Sequence, residues 1–580
     1  MSKNAPLYEV RHIRNLKEML AQSVDIWADA PAFLTKPVRG EPYVPVSYRS
    51  YAGDVDRVGT ALLRRGIGRG AAVAILSETR YEWYVSYLSV LNGEAIIVPL
   101  DKELPGEELR SLLERAHVRA IFVSPQQLPK LLPVLPELDE LELVIYMGEE
   151  EPGLTAEPAP TQTFVSFSEL MEEGRQALAD GDESFARVEI DPEEMRVILF
   201  TSGTTARSKG VMHNHRSLCK NLMAMCQMTD VHHPDVALSV LPLHHTYECT
   251  CGFLCQLYRG NTVAECEGLR YITKNMAEAR ATIILVVPLM LEAFHKRIWS
   301  AIRSDEKKAK KVAFALRLSR FLRRIGIDIR KKLFAQIHES FGGAMRMFIS
   351  GGAAINPQVL ADFEDFGFIA IQGYGLTECA PILALNRDIY SKHESAGLPL
   401  PDVDVKVLDP DENGIGEFAA RGENLMLGYY EDPERTAEAL VDGWFHTGDY
   451  GYIDKDGFVI ITGRKVNVIV TKNGRNIFPE ELEALLNRSE YVLESVVSGK
   501  PARDGDQIVA VEIYPNHDAI AARLGIAEPT EEQIYELLRV AVREVNSQIP
   551  SYKAIRDISI RDTEFTKNTS RKIVRAHVKR

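Results

Sequence analysis

Residues 197–215 read VILFTSGTTARSKGVMHNH, a short apolar run that leads directly into a loop of hydroxyls, glycines and one lysine. The run is typical of a buried strand, and a polar loop with exposed backbone amides at a strand end is typical of phosphate binding. In the commonest phosphate loop, the Walker sequence, the lysine directly precedes Ser or Thr. Here Lys209 precedes Gly210, so the Walker interpretation fails. A polar surface turn remains the alternative at this point.

The loop nevertheless carries groups that bind phosphate oxygens. Hydroxyls, the backbone amides of glycine and a lysine cation are all suitable donors. The candidate residues are Thr201, Ser202, Gly203, Thr204, Thr205 and Lys209.

Outward from this loop, short β-branched runs alternate with segments of helical period over about the first 400 residues. Such alternation predicts a doubly wound α/β architecture with a largely parallel sheet. The clearest runs are AAVAILS (71–77), EAIIVPL (94–100), RAIFVS (119–124) and RATIILVVP (280–288). Ligands of open α/β sheets bind at the carboxyl ends of the strands, so the glycine pair Gly351–Gly352, which follows the strand-like MRMFI, is a candidate for close approach to a ligand. A tight turn is the other interpretation of this pair.

Composition excludes several function classes. The chain has 580 residues and a net charge of −14, which argues against nucleic acid as a general partner. The N-terminal residues lack the apolar stretch of a signal peptide, and the longest apolar run, 281–291, is too short to span a bilayer. We therefore expect a cytoplasmic protein.

Five of the seven cysteines fall between Cys219 and Cys255, close to two histidines in LHHTYECTCGFLC. Histidine and cysteine are zinc ligands, but the paired CxxC spacing of zinc sites is absent. Small apolar residues surround the thiols. The pattern therefore favours buried free thiols over a metal site.

Residues 296–340 differ from their surroundings because they hold 14 Lys and Arg against four Asp and Glu, a net charge of +10. Apolar residues recur at helical spacing in VAFALRLSRFLRRIGI. Two interpretations remain open: a solvated helical insert with one face on the core, or a surface that docks on an anionic membrane.

A change of pattern near residue 460 predicts a second domain. GYIDKDGFVIITGRK contains a hairpin signal at Asp456-Gly457, and compact helix and strand segments follow. We predict a large domain over 1–463 and a small α+β domain over 464–580, joined at TGRKVN.

Five motifs occur in the order found in one enzyme superfamily. They are TSGTTARSK (201–209), IQGYGLTECAP (371–381), GWFHTGDYGYID (443–454), GRKVNVIVTKNGRNIFPEELE (463–483) and FTKNTSRKIVR (565–575). Together they resemble the adenylate-forming, AMP-binding superfamily, which joins a carboxylate to AMP and passes it to a thiol. The resemblance runs from about residue 30 to the C-terminus.

The resemblance implies a large doubly wound α/β domain with a β-barrel-like subdomain, and a small mobile domain that rotates between two half-reactions. It implies ATP and coenzyme A as substrates and Mg²⁺ as the cofactor. Tyr374 and Gly375 would contact adenine, Thr377 the α-phosphate, and Glu378 the Mg²⁺, which prefers oxygen ligands. Asp449 and Arg464 would contact the ribose hydroxyls.

Three further residues take their roles from the same resemblance. His245 would lie beside the reacting carboxylate, and Gly474 would line the entry of coenzyme A. Lys572 would be the main catalytic residue, because a protonated lysine can bridge the two anions that meet at the α-phosphate. In a basic tail alone, Lys572 would be read as a solvated charge.

The chain departs from the family pattern at a few positions. Ala206 and Ser208 replace glycine and proline, Asn568 replaces threonine, and Val466 occupies a hinge position that is usually Asp or Lys. Arg571 replaces glycine before the catalytic lysine, a change that long-chain acyl-CoA ligases tolerate. Valine at this hinge is expected to alter the kinetics of the domain rotation that precedes the second half-reaction.

The whole pattern predicts a long-chain fatty acid–CoA ligase. Three alternatives stay open: transfer to a carrier-protein thiol, a ligase for aryl or shorter acids, and a silent acyl-binding scaffold. The predicted partners are a fatty acid, ATP and coenzyme A, with no nucleic acid; a homodimer and a peripheral contact of 296–340 with the inner face of the membrane are further candidates.

Overall fold

A computed structural model of the chain describes residues 5–148, 162–201, 208–472, 475–501, 507–567 and 573–575. These residues form two compact units. The larger unit contains the described residues up to 404 together with Ala420–Phe445, and the smaller unit contains Val405–Ala419 and the described residues from His446 onward.

The two strands that flank the phosphate-loop candidate belong to an eight-stranded sheet of the larger unit. Its strands, in spatial order, are Gly428–Tyr429, Lys209–Asn214, Met195–Thr201, Ile96–Leu100, Ala72–Leu76, Val118–Val123, Leu143–Tyr146 and Thr163–Ser166. The six from Met195–Thr201 to Thr163–Ser166 are parallel, and the first two pair antiparallel. Flanking helices are Leu16–Trp27, Tyr48–Arg64, Tyr81–Asn92, Gly106–Arg115, Leu128–Leu131, Phe167–Ala179 and His215–Cys226.

The strand Ala72–Leu76 shows why both faces of this sheet carry helices. All five of its residues are buried, yet only Ala72, Ala74 and Leu76 belong to the cluster formed with the leucines of helix Gly106–Arg115. Successive side chains of a strand point to opposite faces, so the other two residues are buried on the far side. The predicted doubly wound architecture is confirmed.

A second sheet in the same unit has nine strands. In spatial order they are Leu398–Pro399, Ile382–Leu385, Ile369–Gly375, Met347–Ser350, Ile283–Val286, Val236–Ser239, Thr262–Glu265, Pro31–Thr35 and Val44–Ser47. The strands from Ile369–Gly375 to Pro31–Thr35 are parallel. The associated helices are the π-helix Tyr247–Leu254, then Cys255–Arg259, Ile272–Ala279, Pro288–Arg303, Glu306–Arg324, Arg330–Leu333, Ala335–Ser340 and Pro357–Phe366; Pro433–Ala439 follows later in the chain.

The predicted basic insert is helical, but its first helix begins earlier than residue 296. Pro288 opens the helix Pro288–Arg303, as a proline at the first turn allows, and three further helices complete the segment. None of the helices in the described ranges is long and apolar enough to cross a bilayer.

An antiparallel hairpin, Trp444–Ile453 with Val459–Arg464, belongs to a five-stranded sheet whose other strands are Asp404–Leu408, Gly416–Arg421 and Leu440–Val441. Gly457 has a positive φ of 89° in the turn, so the predicted hairpin is confirmed. The pair Ile469–Val470 and Asn476–Ile477 and the helix Pro479–Leu486 follow. A three-stranded sheet, Val492–Pro501, Gln507–Pro515 and Ile555–Ile560, packs with helices His517–Leu524 and Glu531–Gln548 around a separate apolar core.

Candidate active site

The two ends of the hydroxyl loop lie side by side. Strand Met195–Thr201 pairs antiparallel with Lys209–Asn214, and the register sets Thr201 directly opposite Lys209. The backbone of two strands therefore holds a hydroxyl and a cation at one sheet edge. Ser202, Gly203, Thr204 and Thr205 lie outside the described residues.

Lys209 and Glu378 are joined through Tyr429, which the sequence interpretation missed. The ammonium of Lys209 lies 4.8 Å from the centroid of the Tyr429 ring, within cation–π range. The Tyr429 hydroxyl donates a hydrogen bond of 2.9 Å to Glu378 Oε1. Burial, and then the Glu378 charge, raise the pKa of Tyr429, so the phenol stays protonated and keeps donating.

The turn that carries Thr377 and Glu378 is fixed by polar side chains donating to its backbone carbonyls. His213 Nε2 lies 2.7 Å from the Thr377 carbonyl. Asn221 and Asn424 each donate to the carbonyls of Cys379 and Ile382. A short polar turn is positioned in this way by a helix and a loop that flank it.

His213 is a neutral donor in this arrangement. It is fully buried, and burial lowers its pKa to about 4. A carbonyl oxygen can only accept, so Nε2 carries the proton toward Thr377 and Nδ1 accepts from the hydroxyl of Ser217 at 3.0 Å. His213 belongs to the stretch 197–215, in which no local pattern indicates that it supports the distant Glu378 turn.

Parallel strands bring the other candidates to the same edge of the nine-stranded sheet. Strand Met347–Ser350 runs parallel to Ile369–Gly375 with Ser350 opposite Gln372, and Val286 pairs with Ser350. Gly351–Gly352 and the turn at Glu378 therefore leave neighbouring strands at their carboxyl ends. This is the edge at which ligands of such sheets bind.

Gly351 and Gly375 are needed for packing. A β-carbon on Gly351 would lie 2.7 Å from the ring of Tyr247, whose hydroxyl donates to the Ile349 carbonyl at 2.8 Å. On Gly375 it would lie 1.9 Å from the Pro381 carbonyl oxygen. Gly352 has a positive φ of 84°, which favours glycine. Tyr374, in the strand beside them, is buried, with 8% of the residue exposed.

His245 sits in a small polar cluster with two residues that the sequence interpretation did not select. Its ring lies 4.0 Å from that of His244, and His244 Nε2 lies 3.4 Å from Asp101 Oδ2. Asp101 follows strand Ile96–Leu100 of the other sheet. Two strand ends thus contribute to the surroundings of His245.

Glu248, three residues further on, is a buried acid. Burial raises its pKa to about 8, and Ser239 donates a hydrogen bond of 2.6 Å to Oε1. A β-carbon on Gly252 would lie 2.6 Å from its carboxyl carbon, so the glycine makes room for the acid. At neutral pH Glu248 is mainly protonated and carries little charge into the sheet.

In the smaller unit, the two ribose candidates face each other across a hairpin. The register pairs Asp449 with Arg464, and Arg464 Nε lies 2.8 Å from Asp449 Oδ1. The side chain of Asp449 is 5% exposed, whereas that of Arg464 is 48% exposed. The arrangement orients one carboxylate and leaves the guanidinium accessible to a ligand.

Lys572 and Gly474 lie outside the described residues. The described residues on either side of Lys572 pair with each other. Lys567 and Ile573 form an isolated antiparallel β-bridge, and the Val574 amide donates to the Thr566 carbonyl at 2.8 Å.

The family model described as AMP-binding enzyme matches residues 20–430, well over half of the chain. The chain belongs to the AMP-binding enzyme family. The superfamily indicated by the five motifs is therefore confirmed.

Curated relatives of this AMP-binding enzyme are acyl-CoA ligases. It is similar to long chain acyl-CoA synthetase 7, peroxisomal, of Arabidopsis thaliana, with 29% identity over 84% of this chain and 72% of the relative. Long-chain-fatty-acid–CoA ligase 6 of Homo sapiens is 28% identical over the same shares. The family match and these relatives support an adenylate-forming acid–CoA ligase.

Solved structures share the fold. The anthranilate CoA ligase AuaEII in complex with anthranoyl-AMP has a TM-score of 0.75 at 20% identity and covers 99% of this chain and 98% of its own. A Mycobacterium tuberculosis fatty acyl CoA synthetase has a TM-score of 0.64 at 23% identity and covers 97% of each chain. At such identities the likeness concerns the fold.

The donor set of this AMP-binding enzyme fits Mg²⁺ supplied together with a nucleotide. Across the described ranges no group of three or more His, Cys, Asp and Glu side chains could hold a metal ion. Magnesium characteristically uses one or two carboxylates and completes its octahedron with phosphates and water. Glu378, with one oxygen oriented by Tyr429, has the donor chemistry of such a carboxylate. The cysteines between 219 and 255 are buried free thiols.

Proposed function

We propose that this AMP-binding enzyme is an ATP-dependent fatty acid–CoA ligase that acts on long-chain acids. The observation that carries the proposal is the link from Lys209 through Tyr429 to Glu378, which sets a cation and an oriented carboxylate at the ligand edge of the α/β unit. This pairing of charges suits a substrate that combines phosphates with a bound magnesium ion. The long-chain relatives at 28–29% identity support the choice of acid.

In the first half-reaction, a carboxylate oxygen of the acid attacks the α-phosphorus of ATP. The bond from that phosphorus to the bridging oxygen breaks, and pyrophosphate leaves with the electron pair. Lys209 and the hydroxyl of Thr201 bind the departing phosphates, together with Ser202, Gly203, Thr204 and Thr205. When bound at Glu378, Mg²⁺ would neutralise phosphate charge.

Other residues position the two reactants. Tyr374, Gly375, Gly351 and Gly352 border the adenine and Thr377 contacts the α-phosphate. Asp449 and Arg464 bind the ribose hydroxyls, and His245 lies beside the acid. Lys572 bridges the attacking carboxylate and the α-phosphate, whose negative charges otherwise repel each other.

In the second half-reaction, the coenzyme A thiol loses its proton to solvent, and the thiolate attacks the acyl carbonyl carbon. AMP leaves with the bonding pair, because a mixed anhydride is a far better electrophile than a carboxylate. Gly474 borders the path of the thiol. We also propose that residues 1–463 and 464–580 are the two functional domains.

Acid-dependent release of pyrophosphate, measured over a panel of acids, tests the proposal. Saturated acids of increasing chain length should give rising kcat/KM, and benzoate-type acids should react poorly. A preference for aryl or short acids would assign the enzyme to a different substrate class. Comparing coenzyme A with a carrier-protein thiol then identifies the acceptor, and an absence of acid-dependent ATP–pyrophosphate exchange would support a silent scaffold.

A further inference from the structure

The helix Glu306–Arg324, here called the basic helix, uses one face to pack on the larger unit. Ala309, Val312, Ala315 and Leu316 are partly buried against the core, and Ser319 is buried. Arg320 and Arg323 extend this contact through ion pairs with Asp365 and Glu364 on helix Pro357–Phe366. This side of the helix accounts for the solvated-insert interpretation of the segment.

The outer face of the basic helix exposes large apolar side chains. Phe314 and Phe321 are 67% and 61% exposed. They are seven residues apart and therefore lie two turns apart on one side. Ile325 and Ile327, which follow directly, are 59% and 48% exposed. Such a row of exposed aromatic and aliphatic groups on one surface indicates an interaction site.

Cations share this outer face. Lys307, Lys311, Phe314, Arg317, Phe321 and Arg324 recur at spacings of three and four residues, which places them on one stripe of the helix. Within the described ranges, no acidic side chain pairs with Lys307, Lys311, Arg317 or Arg324. The inner arginines, by contrast, are neutralised. The charge of the outer face is thus available to an external partner.

We propose that the outer face of the basic helix, with Ile325 and Ile327, binds the surface of an anionic lipid bilayer. The segment 296–340 carries a net charge of +10 in a chain of net charge −14, so this segment attracts an anionic surface although the chain as a whole is negative. The aromatic and aliphatic side chains enter the boundary between headgroups and acyl chains, and the cations contact the headgroups. Aliphatic side chains favour lipid over nucleic acid, because they cannot stack on bases.

Flotation of the full-length enzyme with vesicles tests the proposal. Vesicles of phosphatidylcholine containing roughly one-third phosphatidylglycerol should bind the enzyme, and pure phosphatidylcholine should bind it weakly. Binding to the anionic vesicles should fall at least about fivefold between ~0.1 M and ~0.5 M salt, since screening shortens the reach of the charges.

Three variants separate the contributions. One replaces Lys307, Lys311, Arg317 and Arg324 by Gln, and a second carries Phe314→Gln and Phe321→Gln. The matched control replaces four exposed arginines by Gln. These arginines lie elsewhere on the same unit and each pairs with an acid: Arg14, Arg49, Arg175 and Arg187. We expect both outer-face variants to lose at least about tenfold in vesicle binding. The control should bind like the wild type.

Pyrophosphate release with a water-soluble acid should be unchanged in all three variants, which separates a failure of this proposal from a failure of the proposed function. Unaltered vesicle binding by the outer-face variants would overturn the proposal. So would tighter binding to a single-stranded oligonucleotide than to vesicles at equal salt. Sedimentation that reveals a dimer abolished by the phenylalanine substitutions would assign the face to a second copy of the chain instead.

Discussion

The hydroxyl of Tyr429 donates a hydrogen bond of 2.9 Å to Glu378, fifty-one residues earlier in the chain. The ring of the same tyrosine lies 4.8 Å from the Lys209 ammonium. One side chain therefore orients both a carboxylate and a cation that the sequence motifs select independently. The short strand Gly428–Tyr429 makes this possible, because it pairs with Lys209–Asn214.

Replacing Tyr429 by Phe should slow acyl-AMP formation by about ten- to a hundredfold, since a hydrogen bond to a charged group is worth roughly 1.5–3 kcal/mol. Phenylalanine keeps the aromatic ring beside Lys209, whereas leucine removes it, so Tyr429→Leu should slow acyl-AMP formation more than Tyr429→Phe does. The Mg²⁺ concentration needed for half-maximal ATP–pyrophosphate exchange should rise in Tyr429→Phe, a readout that a purely structural role would leave unchanged. The neighbouring Tyr430→Phe is the control. An unchanged Mg²⁺ dependence would contradict the role assigned to Tyr429.

Lys572→Ala should separate the two half-reactions. Acyl-AMP formation should fall by at least about a thousandfold, because nothing then bridges the two anions. Conversion of supplied acyl-AMP to acyl-CoA should remain within about threefold of wild type, since no phosphate anion is attacked in that step. Lys500→Ala, which removes a cation paired with Asp557 in the same unit, should affect neither step. Equal loss of both steps would refute the assignment.

Asp449→Asn should weaken recognition of the ribose. The variant should raise the Kd for ATP about tenfold, because the amide is a poorer acceptor than the carboxylate for vicinal hydroxyls. Wild-type enzyme should also bind 2′-deoxy-ATP more weakly than ATP. If the substitution and the missing hydroxyl remove the same contact, Asp449→Asn with 2′-deoxy-ATP should lose less binding free energy than the sum of the two separate losses. Calorimetric titration measures all four affinities. Asp404→Asn, which alters an exposed pair with Arg421, is the matched control, and full additivity would argue against the ribose contact.

Glu248→Gln should change the pH dependence of stability. Burial raises the pKa of Glu248 from 4.5 in the unfolded chain to about 8, so the folded state binds the extra proton between these values. Its contribution to stability is complete below pH 4.5 and is lost as the pH rises through 8. Glutamine does not ionise and avoids this loss.

As the pH rises, the thermal unfolding midpoint of Glu248→Gln should therefore increase relative to that of the wild type. The underlying free energy changes by about 1.4 kcal/mol per pH unit in that window. Calorimetric scans from about pH 5 to about pH 9 measure this shift, because the range covers most of the interval between the pKa of Glu248 in the unfolded chain and its pKa in the folded chain. The exposed Glu183→Gln is the control. A difference independent of pH would show that Glu248 is ionised in the folded protein.

The sequence determined the architecture and the chemistry of the chain. Alternating runs such as AAVAILS predict buried parallel strands because only a strand covered on both faces tolerates continuous apolar sequence. The hydroxyl loop and the order of the motifs predicted the family. The groups that bind phosphate lie within a few residues of each other in the chain, so the sequence alone reveals them. The hairpin at Asp456-Gly457 was predictable for the same local reason.

Only the tertiary structure decided which distant residues support these motifs. Tyr429 meets Glu378, His213 meets Thr377, and His244 meets Asp101 across different strands or sheets, and no local spacing records such contacts. The basic helix also depends on tertiary contacts. Both of its faces carry arginines, and the sequence does not distinguish the arginines that pair with acids from those that stay unpaired among the described residues. Packing against Asp365 and Glu364 neutralises one face and leaves the other charged, because pairing depends on which elements meet in space.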